Sequence, residues 1–217
     1  MITLFDAARE YTSMSIGGVV FNVPFYVNRK KDLARGDIFP GKGKASAAEI
    51  KKFLEDKAVP PVTLGKLKSI CSAYRVGIDC SGFIYRVYER YLEDKGTKLE
   101  DRFISWQEDT LSKTYDPEVN DHYSCYVDTL LIIHSLNSYP IEKDEARVGD
   151  LVVFRNQFNE VHCGVLVLRE GENFLYTHSS LGMGAHLDAV SVDFTDWSEK
   201  YYGKIWVEVR RPKFIEV

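Results

Sequence analysis

Of the four cysteines, Cys71, Cys80, Cys125 and Cys163, one stands where a cysteine does chemistry. Gly77-Ile78-Asp79-Cys80-Ser81-Gly82-Phe83 is a polar turn that runs straight into an amphipathic pattern: Phe83, Ile84, Val87, Tyr88, Tyr91 and Leu92 recur at three- and four-residue steps. This predicts a helix over residues 80–94, capped by Asp79 and closed by Gly96. A thiol in the first turn meets the positive end of the helix macrodipole, which favours the thiolate. A free cysteine is more commonly a small buried apolar residue. That role gives no reason for Asp79 before it or for Ser81-Gly82 after it, where glycine costs about 1 kcal/mol against alanine.

A cysteine nucleophile also needs a histidine brought in from elsewhere. His162 stands at the start of the apolar run 161–168, and His178 ends the run 174–178; Gly171-Glu172-Asn173 between them reads as a hairpin turn. A hairpin brings those two ends to one edge of a sheet. His162 is then placed to face the Cys80 helix as general base, and His178 to hold its tautomer. His122 and His134 lie on weakly patterned stretches and read as surface or otherwise satisfied histidines. A metal site from Cys80, His162, Cys163 and His178 is disfavoured, because neighbours on a strand point to opposite faces.

The elements needed to position these residues can be read along the chain. A short helix over residues 3–11 ends at Gly17-Gly18, an extended stretch follows over 19–27, and Ser46-Ala47-Ala48-Glu49 opens a capped helix to about Lys57. Pro60-Pro61 stops it and Thr63 starts another. Residues 97–140 read as an insertion beside the core. Strands are expected at 151–154, 161–168, 174–178, 189–194 and 204–210, about five in an antiparallel meander packed on the Cys80 helix. The chain has 217 residues, a formal charge of −4 and no basic stripe, which argues against a nucleic-acid role. No run is long enough for a membrane span, the first ten residues lack the pattern of a secretory signal, and the cysteine spacing suggests free thiols.

Three stretches together resemble the NlpC-type (NlpC/p60) cell-wall cysteine peptidases, a branch of the papain-like superfamily. Asp79-Cys80-Ser81-Gly82-Phe83 is similar to the family's nucleophile motif. Val148-Gly149-Asp150-Leu151-Val152-Val153-Phe154 is similar to its Pro-Gly-Asp-Leu strand, and Val161-His162-Cys163-Gly164-Val165 to its His-Val-Gly-Ile strand. Tyr176-Thr177-His178-Ser179-Ser180 resembles the strand that ends in the third polar residue. The motifs stand in the family's order.

The resemblance implies an α+β fold: N-terminal helices, and a nucleophile helix packed on a curled antiparallel sheet of about five strands. Residues 1–62 would be a lid or accessory segment, and 63–217 the peptidase domain with its insertion. Cys80 would be the nucleophile, His162 the base and His178 the orienting group, with Asp79 and Ser81 on the substrate and oxyanion side. Tyr74 and Tyr26 are alternative sources of a substrate-facing tyrosine. The implied reaction is hydrolysis of peptidoglycan stem peptides between D-glutamate and a diamino acid. No metal or cofactor is implied, nor a nucleic-acid or membrane partner. The expected location is the cytoplasm as synthesised, with non-classical export as a route to the wall. Two readings stand beside this one: a papain-like amidase or acyltransferase on a non-wall substrate, and a binding module that kept the fold without the chemistry.

Overall fold

A computed structural model describes residues 1–26, 45–103, 127–155, 160–191 and 206–215. His122 and Cys125 lie outside the described residues. Helix α1 (Leu4–Thr12) starts with a capping box from Thr3 and Asp6. It ends in a short hairpin, β1 (Met14–Ile16) and β2 (Val19–Phe21), whose turn is Gly17-Gly18, both at positive φ. That glycine pair therefore turns a hairpin and does not itself end the helix. Helix α2 (Ala47–Lys57) has the expected Ser46/Glu49 capping box, and α3 (Leu64–Tyr74) is capped by Thr63. Helix α4 (Cys80–Glu93) follows, then the short α5 (Thr129–Ile132).

The chain then becomes a sheet: β3 (Ser138–Ile141), β4 (Leu151–Arg155), β5 (Val161–Glu170), β6 (Asn173–Ser180), β7 (Gly184–Ser191) and β8 (Trp206–Pro212). All neighbours are antiparallel, in the order β3-β8-β4-β5-β6-β7. Among the described residues the sheet thus has six strands against about five expected. The extra strand, β3, contains Pro140, a residue the sequence pattern argues against; among the described residues it is the edge strand and pairs only with β8, which leaves room for a missing N–H. Strand β7 begins at Gly184, five residues before the predicted start.

The strand alternation divides the sheet into two faces. Leu151, Val153, Cys163, Val165, Val167 and Ala185 join the helices in one core, with Phe83, Ile84, Val87, Tyr88 and Leu92 of α4. Val152, Phe154, Leu166, Phe174, Tyr176 and Val209 make a second cluster. Leu4, Ala7, Ala8 and Tyr11 of α1 are buried in the first core, so the described residues before position 62 share it. Leu99, Phe103, Val127, Leu131 and Ile132 are also buried there. The described ends of the 97–140 stretch therefore build the core instead of lying beside it.

Candidate active site

Helix α4 delivers Cys80 by bonds within one turn. Asp79 takes an extended conformation, its Oδ1 accepting the Gly82 N–H at 2.7 Å and the Ser81 hydroxyl at 3.1 Å. This cap fixes where the helix begins, so the half-buried thiol sits at the N1 position beside first-turn N–H groups. Its Sγ lies 3.5 Å from the Thr129 hydroxyl at the start of α5. The preceding turn is clamped from both sides. Gly77 packs so tightly on residues 24–26 that a Cβ there would stand 2.4 Å from the Pro24 carbonyl oxygen, and the Ile78 N–H bonds that same oxygen at 2.9 Å.

Strands β5, β6 and β7 assemble the other half. His162 Nε2 and His178 Nδ1 are 2.7 Å apart. His178 Nε2 lies 3.3 Å from Asp188 Oδ2, which also accepts the Tyr176 hydroxyl at 3.0 Å. His178 is registered opposite His186, and Tyr176 opposite Asp188, so these four side chains form a block on one face of the β6–β7 hairpin. Thr177, between Tyr176 and His178 along β6, points away and ties the strands together by donating to the His186 carbonyl. Gly164 keeps β5 close to β6: a Cβ there would press on Thr177 O and Tyr176 Cδ2, both at 3.0 Å. Flat contacts fix the rings, Phe154 on His162 and Tyr176 on His178.

The two halves meet through Ser179. Its hydroxyl donates to the Ile78 carbonyl at 2.7 Å, which holds the end of β6 against the turn that leads into Cys80. Strand alternation sends Cys163 into the core shared with α4, so His162 does not face that helix as the hairpin reading expects; it leaves β5 on its other side, at the strand end that lies next to the β6 end held by Ser179 at the Cys80 turn. Tyr26 stands beside Gly77 at the nucleophile turn. Tyr74 is packed elsewhere: its ring meets Phe53 edge-on and the Lys57 ammonium. A cavity of about 470 Å³ opens next to the turn, with Asn22, Tyr26, Lys68, Arg75 and Met183 among its lining.

The bonding order dictates proton positions. A carboxylate only accepts, so His178 carries its proton on Nε2, and its Nδ1 is then the acceptor for His162 Nε2–H. A neutral His162 is thereby left with its lone pair on Nδ1. Burial pushes the His162 pKa down to about 3, helped by the charges of His178 and His186. Burial lowers His178 as well, against the pull of Asp188. Asp188 resists its own desolvation and is held well below the usual carboxylate range by His178 and Tyr176, which bond it, and by the His186 imidazole 3.2 Å away. The site therefore keeps His162 and His178 neutral next to a fixed anion, whereas His186 is pushed up, against its own desolvation, by Asp188 and the Gly184 carbonyl.

The family model described as NlpC/P60 family matches residues 65–211, more than half of the chain and from α3 to β8. The chain belongs to the NlpC/P60 family. A comparison with curated proteins finds no match. Membership brings with it cysteine peptidase or amidase chemistry directed at cell walls, and the NlpC/P60 match contains Cys80, His162, His178 and the two residues that sequence reasoning missed, His186 and Asp188. A signal for those two was present. Ala185, Leu187 and Ala189 alternate with His186 and Asp188 at the period of a half-buried strand, but the expected strand starts only at residue 189.

Proposed function

We propose that this NlpC/P60 protein hydrolyses an amide bond in peptidoglycan stem peptides, with Cys80 as nucleophile, His162 as base and His178 as the orienting group. The observation that carries this reading is the bonded series His162–His178–Asp188, which leaves a lone pair on His162 Nδ1. In the reaction, the Cys80 thiol proton passes to that nitrogen as Sγ attacks the amide carbon, and the N–H of Cys80 at the open helix end faces the developing oxyanion. His162 then returns the proton to the departing amine as the C–N bond breaks. Water, deprotonated by the same nitrogen, attacks the thioester and releases the acid and the thiol. Asp188 acts through His178, keeping the proton on its Nε2 and stabilising the imidazolium that forms on His162.

The substrate is assigned to the γ-D-glutamyl–diamino acid bond. Lys68 and Arg75 bring positive charge to the cavity beside the nucleophile turn, which suits a stem peptide rich in free carboxylates, and Tyr26 is the tyrosine in place to touch it. Incubation with defined muropeptides and with a peptide-amide library, read by mass spectrometry, tests this. We expect cleavage at the D-glutamyl bond, lost in Cys80→Ala. Cleavage confined to non-wall amides would overturn the substrate, and cleavage that survives Cys80→Ala would overturn the nucleophile.

A further inference from the structure

We propose that His178 Nε2, His186 Nε2 and Asp188 Oδ2 form a three-ligand site for a tetrahedral divalent transition metal of the zinc or cobalt class, and that the bound ion switches off His162 as a base. The second half rests on the function proposed above; the first stands on the hairpin alone.

The site is made by register. His178 and His186 face each other across β6 and β7, and Asp188 follows two residues on along the same face. The three ligand atoms lie within 4.8 Å of one another. Asp188 Oδ2 is 3.3 Å from His178 Nε2 and 3.2 Å from His186 Nε2. Donors held about 2.0–2.1 Å from a tetrahedral zinc stand about 3.3 Å from each other, so both edges already have the length the ion requires. Two imidazoles and one carboxylate are a zinc donor set, with the fourth position left to water.

An independent observation points the same way. His186 is 9% exposed, and its Nδ1 donates to the Gly184 carbonyl at 2.8 Å. With Nδ1 committed to that carbonyl, the ring turns Nε2 toward Asp188 Oδ2. That buried nitrogen has no hydrogen-bond partner, although the carboxylate oxygen is close. Against its own desolvation, Asp188 and the Gly184 carbonyl hold His186 above its ordinary pKa, so this pair draws a cation, which a proton or a metal ion supplies. The supports that orient metal ligands are also in place: the Gly184 carbonyl behind His186, His162 behind His178, and the Tyr176 hydroxyl on Asp188. The Asp188 side chain is 24% exposed, which gives an ion a way in.

The consequence for His162 follows from proton positions. A metal on His178 Nε2 moves that ring's proton to Nδ1, which changes from acceptor to donor toward His162 Nε2. His162 must then carry its own proton on Nδ1, the nitrogen assigned to the thiol. The two imidazoles keep two protons in all: one shifts along the His162–His178 bond, and the one leaving His178 Nε2 is balanced through solvent by the one gained on His162 Nδ1. An imidazolium on His162 is also disfavoured, since its Nε2–H would oppose the His178 Nδ1–H. Metal binding thus removes the base without touching Cys80.

The test uses the full chain freed of metal by a chelator. Cobalt(II) is titrated while its visible absorption is followed, and zinc by calorimetry, in the wild type, Cys80→Ala, His186→Gln and Asp188→Asn. We expect one ion per chain in the wild type and in Cys80→Ala, with tetrahedral cobalt bands and no thiolate-to-cobalt charge transfer. Binding should weaken at least ~10-fold in each ligand variant. Zinc should raise the Tm of the wild type and Cys80→Ala but not of the ligand variants, and the same melts show that each variant is folded. Muropeptide hydrolysis should fall as zinc saturates and return with chelator. Absence of binding, loss of binding in Cys80→Ala, or unchanged affinity in both ligand variants would overturn the site. A zinc-saturated enzyme as fast as the metal-free one would overturn the switch. If the metal-free protein cleaves no wall peptide, the hydrolase reading and the switch fail together, while the titration of Cys80→Ala still decides the site.

Discussion

The cap that starts helix α4 at Cys80 uses bonds that reach no further than Gly82, whereas the β6–β7 hairpin brings His178, His186 and Asp188 together only through the register of two strands. The first arrangement is local and the second is not. A cap and an apolar period say where a helix starts and which face it buries. A strand's side chains meet their partners only once the turn and the pairing are known. The difference predicts that changes in the helix cap and changes in the hairpin will separate experimentally, the first acting on stability and the second on proton transfer.

The largest separation should come from the histidine series. His162→Ala removes the base and should lower kcat by on the order of 10⁴-fold. Asp188→Asn leaves a side chain of the same shape but no fixed anion, and should lower kcat by about 10²-fold with little change in KM. Tyr176→Phe, which keeps the carboxylate, should cost far less. Equal losses in the last two would show that packing, not charge, is what the hairpin contributes.

Next is a pH effect on folding. The His162 pKa falls from 6.5 to about 3 on folding, so the unfolded chain binds more protons over that interval and stability must rise with pH across it. Acidification from about 6.5 toward 3 therefore destabilises the protein, by up to about 1.4 kcal/mol per pH unit from this group. Denaturant melts at a series of pH values should show the slope, and His162→Gln should flatten it. An unchanged slope would mean that His162 is not buried as a neutral ring.

The same contrast explains what the sequence disclosed. Asp79, Gly82 and the apolar spacing from Phe83 to Leu92 were enough to set α4, and the caps at Ser46 and Thr63 set α2 and α3, because each signal lies within a turn of what it controls. His162 and His178 were found because apolar runs led up to them. His186 and Asp188 were missed because the expected strand starts at residue 189, after the glycines at 182 and 184; in the structure both glycines take positive φ, in the turn before β7 and at its first residue, where a Cβ on Gly184 would stand 2.4 Å from the Val23 carbonyl oxygen. Edge strand β3 was hidden by its proline, and the pairing with β8 that reveals it spans most of the sheet-forming sequence.

The smallest effect should be that of the helix cap. Asp79→Ala gives up the bonds to Gly82 and Ser81 and should cost about 1 kcal/mol of stability. The pH slope assigned to His162 should survive this change, since the hairpin does not depend on the cap.

The central claim, that Cys80 works with His162, is tested most directly by alkylation with iodoacetamide at pH 6, read by peptide mapping. An ordinary thiol with a pKa near 8.5 is barely ionised there. Cys71 is a built-in control, its thiol pushed up to about 11 by burial, and Cys163 is another, buried in the core under α4. Cys80 should label well before both, and His162→Ala should slow its labelling while leaving the two controls unchanged. A Cys80 that labels no faster than Cys71, or equally fast without His162, would contradict the pairing.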